Sequence, residues 1–556
     1  LISMVPLNRT HSVSAHGGIN CVNKFTLAQG DTEWNHFDDS VYGGEFLNNQ
    51  ALVKEMCDWA PRIVDLSDRL GVPFNRSPEG NLAVRRFGGT LYKRTVYAGA
   101  STGQQLLYAL DEQVRRWEDE GRVTKYEFWE FLGPILDDQG VCRGCVAQDL
   151  FSLEIRAFPA DAVILATGGC GLIYGEFVQV HPSAIPGADK LRLISEAARG
   201  EGGRVWVPRQ PGDRRHPNEI PEGERWYFLE ERYPTYGNLV PRDIATREIF
   251  SVCKDGYSVN PNTYAVYLDL TERATGVKRE VLAKKLGAIL EIYEKFKGVD
   301  PLSEPMQIFP AVHYSMGGLW VDYERDSRTG GLVLESPRNQ QTNIPGLFAI
   351  GEADYQYHGA NRLGANSLLS CIFAGLIMGP AIDSFLANLP GGSVDKLPSS
   401  LFSGAVQRHQ DACQALLKRQ GTENPYRIHR ELGELMTRNV TVVRNNADLR
   451  DTLTQLEELS GRYQRAALTD RGEWTNQNLS FTRALGDMLL LAKVITHCAL
   501  LRDECRGAHY KPECALPAPQ SEDRASLQRE AEEWCRRYAE QNRRWLKTTL
   551  ARHVPG

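Results

Sequence analysis

The chain has 556 residues, 42% of them hydrophobic and 24% charged. That length holds about three or four domains, and the composition excludes an intrinsically disordered or collagen-like chain. Its 64 Lys plus Arg against 70 Asp plus Glu give a net charge of −6, which is no nucleic-acid footprint and disfavours direct adhesion to an anionic membrane.

The chain opens LISMVPLNRTH, with neither an initiator Met nor a signal-peptide pattern, and reads as beginning inside a domain, just after its first strand and helix. Residues 1–50, rich in Gly, Asn and Asp, read as loops crossing a site. Apolar residues at 3.6-residue spacing predict a helix over Gln50–Leu70 and another over Thr102–Glu120, the latter capped by Thr102. Lys125 to Ala160 reads as short strands with a corner at Asp137–Asp138. The apolar run Ala162–Ala166 then ends in Thr167-Gly168-Gly169-Cys170-Gly171. A buried strand running into a glycine turn is how an α/β sheet delivers backbone to a cofactor at its carboxyl edge.

Within the mixed region 176–312, the polar stretch Pro208–Arg225 reads as an exposed loop, and its His216, with no partner in sequence, as solvated. Residues 313–352 return to strands in GGLWVDY, GGLVLE and GLFAIGE, and 366–385 form a helix. From 401 to 510 the pattern is almost entirely helical, with long amphipathic stretches around Arg430–Leu459 and Arg483–Leu501. The longest apolar run, Met488–Leu501, is too short for a bilayer, which needs about 20 apolar residues, so membrane association is expected through a partner. Residues 516–556 are a charged tail, and Trp534 and Trp545 read as part of a plain charged helix. Twelve scattered cysteines are no disulfide scaffold and read as reduced residues in apolar surroundings. Cys142-Arg143-Gly144-Cys145 has zinc or redox spacing but no second pair, so no metal site is expected.

Four stretches concentrate chemistry: Arg9-Thr10-His11-Ser12 with Gly17-Gly18; His181-Pro182-Ser183 followed by 195–203; Pro241-Arg242-Asp243 with Arg247; and 313–318 with 358–368. In this order and spacing they resemble the flavoprotein subunit of succinate dehydrogenase and fumarate reductase. The resemblance covers nearly the whole chain, including the stretch Arg502–His509. STGQQLLYALDEQVRR and GNLVPRDIATREIF are similar to the menaquinone-linked, Gram-positive-like type.

The resemblance implies an α/β Rossmann-like FAD-binding domain with an inserted α+β capping domain and a C-terminal helical domain. The FAD-binding domain would take 1–175 and 313–395, the capping domain 176–312, the helical domain 401–515 and the charged tail 516–556. FAD would be covalently attached through His11, with Ser12, Gly17, Gly18, Thr167, Gly168, Gly169, Glu352, Asn366, Ser367 and Leu368 around it. Glu352 would hold the adenosine ribose, and the helix opened by Asn366 would face the flavin pyrimidine ring, where its N-terminus favours negative charge. His181, Ser195, His313 and Arg362 match the groups that hold the two carboxylates of the substrate. A dicarboxylate demands cationic or hydrogen-bonding groups at both ends of a dry cleft, and Arg362 suits a bidentate grip. Arg242 matches the family's proton shuttle, with Glu196 and Arg199 as its relay, so that succinate loses a hydride to flavin N5 and a proton to Arg242.

The implied partners are an iron–sulfur subunit, a cytochrome b-type membrane anchor and, indirectly, a quinone; the chain itself has no cluster-type cysteine run. The implied place is peripheral, on the cytoplasmic side of the cell membrane. Alternatives are fumarate reduction in the reverse direction, an L-aspartate oxidase-like soluble flavoenzyme, which His11 speaks against, and a non-enzymatic remnant. The chain departs from the family in four places. Ser195 stands for Thr, and His16 stands for Gln before Gly17-Gly18. The GxGxxG strand–turn–helix expected before Leu1 is absent, and Gly175 runs directly into Glu176-Phe177 where the family has a helical stretch. Because the other site residues remain in place, the sequence is expected to record parts of a longer chain.

Overall fold

The computed structural model describes residues 1–86, 90–174, 181–184, 195–240, 242–261, 264–311 and 314–554; at 181–184, 195–197, 242, 288 and 311 it describes the backbone alone. The strand predicted from AVILA spans Val163–Leu165 and pairs in parallel with Leu347–Ala349, in register Val163 with Leu347 and Leu165 with Ala349. Both runs are apolar, but only Leu347–Ala349 is buried throughout; Ile164 is 43% exposed, so the strand expected to be buried is open on one face. An antiparallel meander of Trp129–Leu136, Cys142–Asp149 and Ile155–Pro159 lies beside them, joined through Cys142 N, which donates to Pro345 O at 2.8 Å. Its corner is an Asx turn, in which Asp137 Oδ1 accepts from Gln139 N and Val141 N, each at 2.9 Å.

A five-stranded sheet runs in the order His181–Ala184, Met306–Ala311, Val266–Asp269, Arg204–Pro208 and Arg225–Trp226, with antiparallel neighbours throughout. The helices Arg242–Val252 and Arg279–Lys297 help to close its core, which contains Trp206, Phe228, Leu268 and Met306. The helices Pro425–Met436, Asn446–Tyr463 and Gln477–Leu501 form a separate core, into which Ile173 of the short turn Gly171–Tyr174 inserts.

Several sequence expectations change on folding. Residues 1–50 contain the helices Lys24–Leu27 and Glu33–Gly43, each capped by a side chain, Asn23 and Thr32, so the polar residues there cap helices rather than form only loops. Helices do form over Gln50–Arg69 and Thr102–Asp119, but Thr102 is already inside the second, and its Oγ1 accepts from Ala98 N at 3.1 Å. Of the three strands expected in 313–352 only Leu347–Ala349 forms; Leu319 and Leu332 make isolated bridges in a turn-rich segment. The stretch Arg430–Leu459 is broken by a π-turn at Thr437–Thr441 and a restart capped by Asn445. The polar loop Pro208–Arg225 buries Pro217, Ile220 and Arg225, because the Arg225 guanidinium pairs with Asp269 at 2.9 Å. His216 does have a partner, Glu304, 3.1 Å away.

The helices Ser367–Ala387 and Gln477–Leu501, of 21 and 25 residues, are long and apolar enough to cross a membrane by length and composition, which the shorter run Met488–Leu501 did not suggest. Both carry fully buried faces, with Phe373, Ala381, Leu485 and Ala492 at 0% exposure, as core helices do. Cys142 and Cys145 are buried in one strand, and all twelve cysteines are free. The tail forms the helix Arg524–Trp545, with no buried residue; Trp534 stacks on Tyr538 and the Trp545 carbonyl accepts from Arg502 at 2.5 Å.

Candidate active site

The parallel strand pair sets the site. Beyond its carboxyl ends stand two turns, Thr167-Gly168-Gly169 and Gly351-Glu352. Gly168 and Gly351 adopt φ of +77° and +71°, which only glycine takes freely. Glu352 Oε1 accepts from Ser315 N at 2.9 Å. A Cβ on Gly169 would strike that same carboxylate and lie 2.7 Å from Ser315 Oγ. The two strand ends and the segment after 313 thus interlock, while Thr167, Gly168 and Gly169 leave their backbone exposed.

Next to them the loop 358–366 leads into the helix Ser367–Ala387. His358 is buried, and its Nε2 lies 3.2 Å from Ser370 Oγ; burial, and then the Arg362 charge, holds its imidazole well below the ordinary value and therefore neutral. Arg362 is 8% exposed, donates from Nη1 to Ser367 Oγ at 3.2 Å and lies 5.1 Å from the centre of the Tyr314 ring. Burial raises the Tyr314 hydroxyl well above its usual range, so it stays a neutral phenol. Arg362 is therefore a nearly buried cation at a helix N-terminus, where an anion is doubly favoured.

Asn366 binds this helix start to the N-terminal part of the chain. Its Oδ1 accepts from Asn20 Nδ2 at 2.8 Å and from His36 Nε2 at 3.0 Å, and its Nδ2 donates to Ser40 Oγ at 2.8 Å. Asn20 Nδ2 also donates to Gly364 O at 2.7 Å. Asn20 stands two residues after Gly18, so its bond to Asn366 ties the helix start to the segment of the glycine pair. Gly18, with φ +123°, has no room for a Cβ, which would lie 2.7 Å from Thr95 Cγ2. His11 opens the exposed turn His11–Ser14, whose following residue Ala15 accepts from Gly103 N at 2.6 Å. His16 Nδ1 bonds Ala100 O, and desolvation lowers its pKa.

In the five-stranded sheet, antiparallel pairing sets His181 opposite Ala311, two positions before His313, which lies outside the described residues. Ser195 and Glu196 start the helix Ser195–Gly200, and Arg242 starts the helix Arg242–Val252, which packs against the strand His181–Ala184. Arg199 donates to Asn238 O at 2.8 Å, in the segment that leads into Arg242. The described backbone thus places His181 on an edge strand of the sheet, Ser195 and Glu196 at one helix start and Arg242 at another. Sequence reasoning missed Asn20 and His36, and singled out Ser315 only as part of the stretch 313–318; the nearness of Asn20 to Gly17-Gly18 was a signal for it.

A glycine turn with bare backbone, a carboxylate at the neighbouring strand end, and a helix N-terminus with buried polar caps fit a cofactor that is anionic and carries a ribose. The comparisons agree. A family model described as FAD binding domain matches residues 1–174 and 173–368, and one described as fumarate reductase flavoprotein C-term matches 429–554. The succinate dehydrogenase flavoprotein subunit of Bacillus subtilis (strain 168) is 51% identical over 582 residues, covering 100% of this chain and 89% of its own. The chain belongs to the flavoprotein subunits of succinate dehydrogenase and fumarate reductase. Its cofactor is FAD. A further relative within this family, the fumarate reductase flavoprotein subunit of Serratia sp. (strain ATCC 39006), is 32% identical, covering 92% of this chain and 84% of its own. Among solved structures, a variant quinol fumarate reductase flavoprotein of E. coli superposes with a TM-score of 0.77 at 30% identity, covering 92% of this chain and 86% of that one. The first family model matches in two pieces that meet at 173–174, and the 582-residue alignment to the B. subtilis subunit exceeds the 556 residues of this chain. The first falls beside the jump read in the sequence after Gly175; the second shows that the alignment opens gaps in this chain.

Proposed function

We propose how this succinate dehydrogenase/fumarate reductase flavoprotein subunit interconverts succinate and fumarate. The observation that carries the reading is the nearly buried Arg362 guanidinium, aimed by Ser367 at a helix N-terminus beside the glycine turns. Arg362 grips one substrate carboxylate with its planar fork, while His181, Ser195 and His313 take the remaining carboxylate oxygens. Tyr314 and His358, both neutral, exclude water and keep competing anions from forming beside Arg362. Arg242, once it has handed a proton to the Glu196 and Arg199 relay and is a neutral guanidine, takes the proton from succinate carbon at its free nitrogen and becomes guanidinium again, and the reverse reaction runs these transfers backwards; Glu196 and Arg199 pass the released proton to solvent. FAD, when bound, supplies the acceptor for the two electrons that leave as a hydride equivalent. Ser12, Gly17, Gly18, Thr167, Gly168, Gly169, Glu352, Asn366, Ser367 and Leu368 hold it, with His11 as the point of covalent attachment.

The same reading orders the chain as a Rossmann-like FAD-binding domain at 1–175 and 313–395, a capping domain at 176–312, a helical domain at 401–515 and a tail at 516–556. Electrons pass on to an iron–sulfur subunit and a membrane anchor that delivers them to quinone, so the chain works at the cytoplasmic face of the cell membrane, peripherally.

A succinate:dye oxidoreductase assay on the assembled complex tests the mechanism. Arg242→Ala and Arg242→Lys are expected to lose about a thousandfold or more in turnover while keeping their flavin; turnover within tenfold of wild type would remove Arg242 from the mechanism. His11→Ser is expected to abolish the flavin fluorescence that stays with the polypeptide on a denaturing gel. A band that persists would place the attachment on another residue.

A further inference from the structure

Outside the groups assigned above, one buried cation joins three distant segments. Arg506 is 2% exposed. Its Nε lies 3.1 and 3.0 Å from the two Glu504 carboxylate oxygens, its Nη1 donates to Glu45 O at 3.0 Å, and its Nη2 donates to Asn542 Oδ1 of the tail helix at 2.6 Å. Glu504, 0% exposed, is also held by Arg502 Nε at 2.6 Å. A planar fork can serve three directions at once, which a single ammonium cannot.

The next two residues carry this arrangement to the substrate loop. Gly507 N donates to Glu45 Oε1 at 2.6 Å. A Cβ on Gly507, whose φ is +54°, would lie 2.6 Å from Ala360 O. Ala508 N donates to that same oxygen at 3.0 Å, and Ala360 N donates to Gly44 O at 2.9 Å. Ala360 stands two residues before Arg362. On the far side, Glu45 and Phe46 have φ of 48° and 64°, a backbone conformation that non-glycine residues keep only where their surroundings hold them. Arg506 and Gly507 supply that hold, through the Glu45 carbonyl and carboxylate. From the capping side, Arg247 Nη1 reaches Gly507 O at 3.3 Å.

We propose that Arg506 is a positioning residue for the dicarboxylate site: paired with Glu504, it clamps Gly507 and Ala508 onto Ala360 and Glu45 and thereby fixes the backbone from which Arg362 reaches the substrate carboxylate. This rests on the reading of Arg362 given above. Arg506 touches neither substrate nor cofactor. Its effect is geometric, and a group displaced by about 1 Å loses roughly a hundredfold in a well-aligned site.

The test uses the assembled complex, with Arg506→Lys, Gly507→Ala and, as control, Arg362→Lys. Steady-state succinate kinetics, the malonate inhibition constant, flavin content and the unfolding temperature are read for each. Arg506→Lys and Gly507→Ala are expected to raise the succinate KM and the malonate inhibition constant together, by about tenfold to a hundredfold, with kcat within about threefold and flavin content unchanged. Should Arg506→Lys fail to assemble, Gly507→Ala carries the same readout, since its methyl presses directly on the Ala360 carbonyl. A lowered unfolding temperature with unchanged KM and malonate inhibition would overturn the proposal, because that is the signature of a purely structural pair. If Arg362→Lys itself leaves KM unchanged, the reading of Arg362 fails and the proposal with it. If Arg362→Lys raises KM while the other two variants do not, the proposal alone fails.

Discussion

The five-stranded sheet and the region around Ser367 are both built on apolar cores, yet they add polar contacts of different kinds. In the sheet region, Trp206, Phe228, Leu268 and Met306 are all at 0% exposure, a continuous apolar core. Around Ser367 an apolar core, with Ile19, Leu369 and Phe373 at 0% exposure, carries a polar closure beside it: Asn20, His36, Ser40 and Asn366 are buried and bonded to one another. Apolar attraction is non-directional and tolerates small shifts of a whole layer. A buried hydrogen-bond network is satisfied in one geometry and costly in others. The buried amides and hydroxyls around Ser367 therefore hold the start of its helix in one geometry, beyond what apolar packing alone would fix.

Trp206→Ala is the strongest way to break this contrast. It removes a large core side chain that also donates to Asp269 Oδ2 at 3.3 Å and stacks under Arg225 at 4.4 Å, and is expected to cost about 3–5 kcal/mol. Hydrogen exchange should show protection falling along Val266–Asp269 while the helix Ser367–Ala387 keeps its own. Equal loss in both would mean that the two regions unfold as one unit.

A pH series sharpens the comparison from the polar side, with a somewhat smaller effect. Burial first, and Arg94 second, lower the His36 pKa from 6.5 to about 4. The unfolded chain takes up a proton between these values and the folded chain does not, so stability is complete above about pH 6.5 and falls as the pH drops towards 4. The loss from His36 is about 3 kcal/mol by pH 4. His36→Gln should flatten that slope in unfolding measurements between pH 7 and 4, since a Gln amide can still donate to Asn366. An unchanged slope would show that His36 titrates normally in the folded state.

What the sequence made legible was what local pattern dictates. The run Ala162–Ala166 with its glycine turn, and the helix after Asn366, follow from apolar spacing and a polar start, and both formed with ends shifted by a residue or two. The motif residues could be named because their types and spacing are particular. Long-range ties were not legible: Asn20 and Asn366 are 346 positions apart, and no periodicity links them. The segment 313–346 misled because alternation in GGLWVDY and GGLVLE predicts strands only if a partner strand lies alongside, and there the chain meets turns instead. Arg506 lay in a stretch recognised as a family feature, but its three-way role depends on Glu45 and Asn542, far off in sequence.

The parallel pairing of Val163–Leu165 with Leu347–Ala349 also has a consequence for biosynthesis. On the ribosome, at about 5–20 residues per second, the second strand emerges roughly ten to forty seconds after the first. Throughout that interval the earlier strand lacks the mate it has among the described residues, and its open edge invites pairing with other nascent chains. The intervening sheet region, with an apolar core of its own, has time to fold first, and the turns beyond the paired strands take shape only after it, while the helices from Ser399 onward are still to be made.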